Sequence, residues 1–284
     1  MKQHKADYQV VPLQGRRTMA FAMRSVQNKP MIHGLIEVDV TRTRAFLREY
    51  KAKTGESLSF TAFIATCLGK AVDENKAVQA YYKGRTRLIL FNEVDVATVI
   101  EREVAGHPQP MIYIIRAANT KTFREIHQEI RTAQVDAVEK GWTPATGKKS
   151  VLSLPTFLIR WFFRAFWWLC RTYPPVRKNV LGTVGLTAVG MFGEGAGWGI
   201  PPATPQTLNI TVGGIGVKRE VVDGSIAMRE YLSLTISFDH EMIDGAPAAR
   251  FTQRLKDLIE SGYGLDDSTV ESEQAVAPGT IKKS

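Results

Sequence analysis

The sequence predicts a protein of the α/β class. Short apolar segments typical of strands alternate along the chain with segments whose apolar residues recur at helical spacing. The chain has 284 residues, and 44% of them are apolar, which is enough for one large core or two smaller ones. This composition is that of an ordinary globular protein.

The balance of charges is basic. The chain carries 37 Lys and Arg residues against 28 Asp and Glu residues, for a net charge of +9. Such a surface favours anionic partners: a nucleotide-bearing cofactor, an acidic carrier domain or an anionic membrane surface. The basic residues form no nucleic-acid-binding motif, and for most lysines a solvated basic surface is the simpler interpretation.

The cysteines and the termini predict the compartment. Cys67 and Cys170 lie in apolar runs without a metal-binding or redox spacing, which favours buried thiols in a reducing environment. The first residues, MKQHKADYQVV, lack the apolar core of a signal peptide, so we expect a cytoplasmic protein. No run reaches the roughly 18 apolar residues of a membrane-spanning helix.

The first half of the chain alternates helices and strands after a polar lead at residues 1–10. A first helix ends before Pro30, and Thr41 is expected to cap the next one. A long helix carries Phe123, Ile126 and Ile130 on one face. We predict helices at 42–53, 58–73 and 120–140, and strands at 35–40, 87–91, 93–100 and 111–116, with 87–91 paired to 93–100.

The segment 157–170, FLIRWFFRAFWWLC, predicts an unusual helix, here called the Trp/Phe helix. At about 100° per residue, Arg160, Arg164 and Arg171 fall in one narrow stripe, and aromatic and apolar residues cover the other faces. Such a helix could lie in the interface of an anionic membrane, which would make the protein peripheral to it. It could equally be buried against another subunit or line an acyl pocket, with its arginines paired.

The second half predicts a run of strands after a glycine-rich segment. These strands are expected at 208–212, 215–222 and 227–238, and Asp223-Gly224 is a hairpin signal between the last two. Residues 263–284 are polar and aperiodic, and we expect a mobile tail.

One histidine stands where the last strand meets the last helix. His240, Asp244 and Gly245 lie between the apolar strand 232–238 and a helix with Pro247 in its first turn. Gly245 would allow a tight reversal, and Asp244 would lie at the positive end of the helix. His240 would project from a rigid strand end, where a neutral imidazole can act as a general base. By spacing alone, a purely structural histidine fits as well.

The run LTISFDHEMIDGAPAARFTQRLKDLIE resembles the active-site segment of the dihydrolipoamide acyltransferases, the catalytic domains of 2-oxo acid dehydrogenase complexes. The resemblance covers roughly residues 10–262. It implies a coenzyme A-dependent fold like that of chloramphenicol acetyltransferase, an α+β sandwich with a mixed sheet and helices on one side. The expected catalytic domain is 11–262, and the Trp/Phe helix with its flanks, 155–173, is an insertion in the family pattern.

The resemblance also implies roles for individual residues. His240 matches the catalytic base, and Asp244 matches an aspartate that pairs with an arginine, here Arg16, so Arg16 and Gly245 would support the site. Thr187 stands where the family has a serine that stabilises the oxyanion, although it could simply be a strand residue. Ala188 replaces the family's asparagine, and Glu241 replaces an arginine.

The function implied is transfer of an acyl group between coenzyme A and a dihydrolipoyl-type thiol, in a homotrimer whose active sites lie between subunits. The resemblance does not identify the coenzyme A-binding residues and implies no metal. The sequence shows no lipoyl or subunit-binding domain, so we expect a stand-alone enzyme that meets a lipoyl group only on another chain. The alternative is a non-catalytic trimeric scaffold, or a membrane-associated assembly protein, that keeps the fold.

Overall fold

The computed structural model describes residues 24, 28–83, 86–104, 107–135, 156–190, 193–222 and 224–265. The predicted first helix with Arg16, the polar lead and the tail beyond residue 265 lie outside the described residues.

A six-stranded mixed sheet forms the centre of the fold. The strands are β1 Met31–Asp39, β2 Tyr81–Lys83, β3 Arg87–Ile89, β4 Val96–Val104, β5 His107–Ile115, β6 Val184–Ala188, β7 Leu208–Val222 and β8 Ser225–Asp239. The order in the sheet is β1-β8-β7-β6-β4-β5, in which β6 runs parallel to both β4 and β7 and the other neighbours are antiparallel. The short strands β2 and β3 form a separate pair.

Helices cover the apolar face of this sheet. Phe251 of the last helix packs edge-on against Phe238 at 5.8 Å between ring centroids, and Phe63 meets Phe123 in the same way at 6.3 Å. Both contacts belong to one continuous core. The helices are α1 Thr41–Thr54, α2 Phe60–Glu74, α3 Phe123–Val135, α4 Thr156–Thr172, α5 Pro174–Leu181 and α6 Gly245–Glu260, with 3-10 turns at Lys76–Gln79 and Ala118–Thr120. The predicted fold class is therefore confirmed.

The opposite face of β7 and β8 is buried but polar. Because side chains alternate along a strand, Asn209, Thr211, Ser233, Thr235 and Ser237 all point to this face. A loop at residues 193–206 lies against it, and a Cβ added at Gly213 would come within 2.1 Å of the Gly197 carbonyl oxygen. A glycine is therefore required at position 213 for the loop to approach so closely.

Several local predictions are confirmed. Cys67 and Cys170 are both free thiols with buried side chains. Phe123, Ile126 and Ile130 are all buried on one face of α3, as predicted. Val222 pairs with Ser225, so β7 and β8 form the predicted hairpin.

The predicted pairing of 87–91 with 93–100 is wrong. Arg87–Ile89 pairs with β2, and β4 instead pairs with β5 and β6. The cause lies just before β4, where Asp95 is buried and accepts a hydrogen bond from Arg116 at 2.7 Å, which holds the chain at the start of this strand.

Two further expectations need correction. Thr41 is the first residue of α1 rather than its cap, because its N–H and its hydroxyl both donate to Oδ1 of Asp39, at 2.8 and 2.5 Å. The predicted strands 208–212 and 215–222 are one strand, β7, which a bulge between Val212 and Ile215 interrupts.

Candidate active site

The turn that carries His240 is organised around Asp239. This carboxylate is buried and lies 2.7 Å from Nζ of Lys29. Its Oδ1 accepts the N–H of Glu241 at 3.1 Å, and its carbonyl oxygen accepts the N–H groups of Met242 and Ile243. A buried carboxylate is stable only with such partners, so Asp239 fixes the path of the chain past His240.

Lys29 connects Asp239 to the segment before β7. Its ammonium also donates to the carbonyl oxygens of Pro205 and Gln206, at 3.2 and 3.4 Å. Burial lowers the pKa of Lys29, and the ion pair with Asp239 opposes that effect. The pair therefore joins the His240 turn to the segment that leads into β7.

The imidazole of His240 is held in one tautomer. Nδ1 lies 3.1 Å from the carbonyl oxygen of Ile243, which can only accept, so Nδ1 carries the proton. The backbone N–H of His240 donates to the Pro30 carbonyl oxygen at 2.8 Å. Nε2 has no hydrogen-bond partner among the described residues, and the side chain is 45% exposed. An unprotonated, accessible Nε2 on a fixed ring is what a general base requires.

Asp244 and Gly245 contribute less to the turn than expected. The Asp244 carboxylate is 87% exposed and lies 3.9 Å from Nδ1 of His240, which is too long for a hydrogen bond. It occupies the N-cap position of α6 without capping a backbone N–H. Its predicted partner, Arg16, lies outside the described residues. Gly245 has no positive φ and has open space around its Cα, so the turn between β8 and α6 does not use the conformational freedom of glycine at this position.

Thr187 lies far from His240 within one chain. It is in β6 opposite Thr211, whereas Asp239 donates its backbone N–H to Thr207 at the start of β7. Four residues of strand span roughly 13 Å, so the backbones of His240 and Thr187 lie roughly that far apart along the strand direction. The Thr187 side chain forms no hydrogen bond with any described residue, and the buried hydroxyl of neighbouring Thr211 also lacks a partner there.

The structure reveals site residues that sequence reasoning missed. Arg177 of α5 stacks on Tyr81 at 4.2 Å from the ring centroid and donates to the Pro205 carbonyl oxygen at 2.6 Å. Burial lowers its pKa. The hydroxyl of Tyr82 donates to the Glu241 carbonyl oxygen at 3.0 Å. The one available sequence signal was Asp239, since a carboxylate that ends an apolar strand needs a buried cation.

The chemistry that the described residues offer is proton transfer. Among them, no group of three or more His, Cys, Asp or Glu side chains could hold a metal ion. Burial raises the pKa of the Cys67 thiol, so this cysteine is a poor nucleophile. His240 is then the side chain best placed to accept a proton in an accessible position.

The sequence matches the family of 2-oxoacid dehydrogenases acyltransferase (catalytic domain) over residues 5–154 and 180–265. The unmatched residues between these ranges include all of α4 and most of α5.

Similar curated proteins carry related names. The lipoamide acyltransferase component of the branched-chain alpha-keto acid dehydrogenase complex of Bacillus subtilis is 26% identical over 267 residues, which is 91% of this chain and 53% of that protein. The dihydrolipoyllysine-residue acetyltransferase component of the pyruvate dehydrogenase complex of Zymomonas mobilis is 35% identical over 88% of this chain and 49% of that protein. The chain thus spans about half the length of these relatives.

Solved structures agree on the fold. The dihydrolipoamide acetyltransferase of Azotobacter vinelandii superposes with a TM-score of 0.63 at 20% identity, covering 92% of this chain and 94% of the other. The truncated catalytic core of the 2-oxoacid dehydrogenase multienzyme complex of Thermoplasma acidophilum gives 0.60 at 21% identity, covering 90% and 100%.

Proposed function

Because the chain belongs to the 2-oxoacid dehydrogenase acyltransferase family, as a catalytic domain, we propose that it transfers an acyl group between coenzyme A and a dihydrolipoyl-type thiol. The observation that carries the proposal is that Nε2 of His240 has no partner among the described residues, on a ring whose tautomer the Ile243 carbonyl fixes. The names of the relatives, all acyltransferase components of such complexes, support the same reaction class.

In the proposed reaction, Nε2 of His240 takes the proton from the accepting thiol. The thiolate attacks the carbonyl carbon of the acyl thioester and forms a tetrahedral intermediate with a negative oxygen. The intermediate collapses, the bond to the first sulfur breaks, and the imidazolium returns the proton to that sulfur. No covalent acyl-enzyme is needed, because two thiols held in one channel gain most of their advantage from proximity.

Thr187 would donate a hydrogen bond to the negative oxygen, from a neighbouring subunit of a homotrimer. A backbone separation of roughly 13 Å along the sheet within one chain supports a donor from a neighbouring subunit. The Thr187 hydroxyl has no hydrogen-bond partner in the part of the chain that the structure describes, which supports the proposal, and one well-placed donor lowers the barrier by roughly 3 kcal/mol. In this scheme Asp239 and Lys29 position the turn, and Asp244 acts on the turn through Arg16.

The acyl carrier would be coenzyme A on one side and a lipoyl group of another polypeptide segment on the other. The resemblance to complexes that use lipoyl domains supports this choice, and the basic surface of this chain suits both the nucleotide and an acidic carrier domain. A small free thiol is an alternative acceptor with the same chemistry.

A non-catalytic trimeric scaffold is the second candidate. Ala188, where the family has an asparagine, favours it, because this position offers no polar side chain to the reacting groups. The held tautomer of His240 argues against it, because a scaffold has no need of a fixed base.

The test is release of free thiol from a panel of acyl-CoAs with dihydrolipoamide as acceptor. We expect release by the wild type, a fall of roughly 10²- to 10⁴-fold for His240→Ala, and retention of the oligomer. Thr187→Val should lower the rate roughly 10²-fold, and its control Thr187→Ser should keep most of it. No release with any donor from an intact wild-type oligomer would favour the scaffold.

A further inference from the structure

The outer face of α4 is aromatic and uncovered. Phe157, Trp161, Phe162 and Trp168 are 68%, 69%, 59% and 61% exposed, whereas Ile159 and Cys170 of the same helix are buried. Within the part of the chain that the structure describes, α4 makes its contacts chiefly with β2 and α5. An exposed group of four large aromatic side chains is unusual for a monomeric surface and marks a site of interaction.

The arginines of α4 lie along one edge of this face. At about 100° per residue, Arg160, Arg164 and Arg171 project between the buried face and the aromatic face. None of the three forms a hydrogen bond or an ion pair with a described residue. Three exposed guanidinium groups without a described carboxylate partner, beside exposed aromatic rings, suit a partner that is anionic at its surface and apolar beneath.

The sequence around α4 has an excess of basic residues, which also favours an anionic partner. No Asp or Glu occurs between Glu139 and Glu194. The same stretch contains the following basic residues: Lys140, Lys148, Lys149, Arg160, Arg164, Arg171, Arg177 and Lys178. Lys178 pairs with Glu93 and Arg177 is buried against Tyr81, so among the described residues of this stretch the three arginines of α4 are the cations left for an anionic surface.

The aromatic face also contains a hollow. Phe162, Ala165, Phe166, Trp168 and Leu169 line a cavity of about 310 Å³ with apolar walls. A cavity without polar groups is poorly suited to bind water and can accept a hydrocarbon segment.

We propose that α4 docks on the surface of a bilayer that contains anionic phospholipids. The helix lies in the plane of the interface, with Trp161 and Trp168 at the level of the headgroups and acyl chains. Arg160, Arg164 and Arg171 contact the phosphates. No helix among the described residues has the length and hydropathy needed to cross a membrane.

The arginines also decide against a second copy of this chain as the occupant. A two-fold contact through the aromatic face would place the same surface of both subunits together, and thus the same row of cations. Like charges brought together in this way oppose association unless carboxylates separate them, and α4 has none. An anionic bilayer offers apolar acyl chains to the aromatic face and phosphates to the arginines.

The experiment is sedimentation of the full chain with vesicles of phosphatidylcholine, with and without phosphatidylglycerol. We expect binding to the anionic vesicles that weakens as salt is raised. Brominated phosphatidylcholine in those vesicles should quench tryptophan fluorescence of the wild type and quench it less in Trp161→Ser/Trp168→Ser, because those two rings enter the interface.

Two variants with equal loss of charge provide the control. Arg160→Gln/Arg164→Gln/Arg171→Gln should lose affinity roughly a hundredfold, since each basic residue near an anionic surface contributes roughly fivefold. Arg48→Gln/Lys51→Gln/Lys53→Gln removes three charges from the exposed side of α1 and should lose far less.

Three results would each overturn the proposal. One is the absence of wild-type binding to anionic vesicles, as expected if a protein partner covers α4. Another is equal binding to neutral and anionic vesicles. The last is equal loss of affinity in both triple variants, which would indicate a diffuse effect of net charge. Oligomeric state, measured for each variant by light scattering, excludes misfolding as the cause.

Discussion

Two histidines of this chain differ in what their ring nitrogens do. His127 of α3 is buried, and both nitrogens are occupied: Nδ1 accepts the N–H of Ser59 at 3.0 Å, and Nε2 donates to Glu56 at 3.1 Å. His240 is half-exposed, with Nδ1 occupied by the Ile243 carbonyl oxygen and Nε2 without a partner among the described residues.

The two rings are therefore opposite tautomers with opposite consequences. In His127 the proton is on Nε2, and the ring ties the start of α2 to Glu56, so that it is part of the framework. In His240 the proton is on Nδ1, and the remaining lone pair faces accessible space. Counting donors and acceptors thus separates a structural histidine from a candidate base more sharply than residue type or position in the sequence.

The largest expected effect is a loss of acyl-transfer activity, which tests the distinction between the candidate base His240 and the structural His127. His240→Gln should reduce acyl transfer roughly 10²- to 10⁴-fold with little change in unfolding free energy, because it removes the base from a half-exposed site. His127→Gln should leave the rate near that of the wild type. Steady-state kinetics measure the acyl-transfer rate of both variants, and urea unfolding measures their unfolding free energy. Comparable losses of activity in both variants would remove the distinction.

The next effect concerns the support of the His240 turn. Lys29→Met leaves the buried Asp239 carboxylate without its cation, and we expect a loss of about 3 kcal/mol in unfolding free energy. Lys29→Met/Asp239→Asn should recover much of that stability, because no charge is then left unpaired. Its activity should stay low if the turn depends on the ion pair. A double variant as unstable as the single one would show that the pair itself is not the cause.

A smaller effect is expected at His127. His127→Ala leaves the Ser59 N–H and the Glu56 carboxylate without this partner and should cost about 2 kcal/mol of unfolding free energy. The variant His127→Gln can still accept from Ser59 and donate to Glu56, so it should lose less. Urea unfolding of the two variants gives the difference.

The smallest effect is a dependence of stability on pH. Burial lowers the pKa of His127 in the folded state, and Glu56 opposes that effect. A lowered folded pKa means that the unfolded chain binds the proton more strongly, so stability should fall as pH drops below about 6.5. Protonation of Nδ1 would also break the bond from Ser59. The slope of unfolding free energy against pH near pH 6 should flatten in His127→Gln. An unchanged slope would mean that other titrating groups cause the pH dependence.

Sequence reasoning found the elements that local pattern determines. The hairpin at Asp223-Gly224, the apolar face of α3 and the position of His240 at a strand end each follow from residues close together in the chain. It could not find Lys29 as the partner of Asp239, because these residues are far apart in sequence and only the sheet brings them together. The pairing of 87–91 with 93–100 failed because the buried Asp95 is bound by Arg116 and Thr183, which lie next to β5 and β6, so β4 pairs with these later strands and not with β3.

The register of the sheet has a consequence for the order of folding. β7 and β8 are adjacent in sequence and pair through a short hairpin, whereas Met31 of β1 pairs with Asp239 from the far end of the chain. Pairing between residues far apart in sequence loses more loop-closure entropy than pairing within a hairpin. We therefore expect the β7–β8 hairpin to form early and β1 to join late. During synthesis β1 leaves the ribosome long before its partner, and its backbone must wait unpaired. The His240 turn, which needs Pro30 beside it, would then be among the last parts of the molecule to take shape.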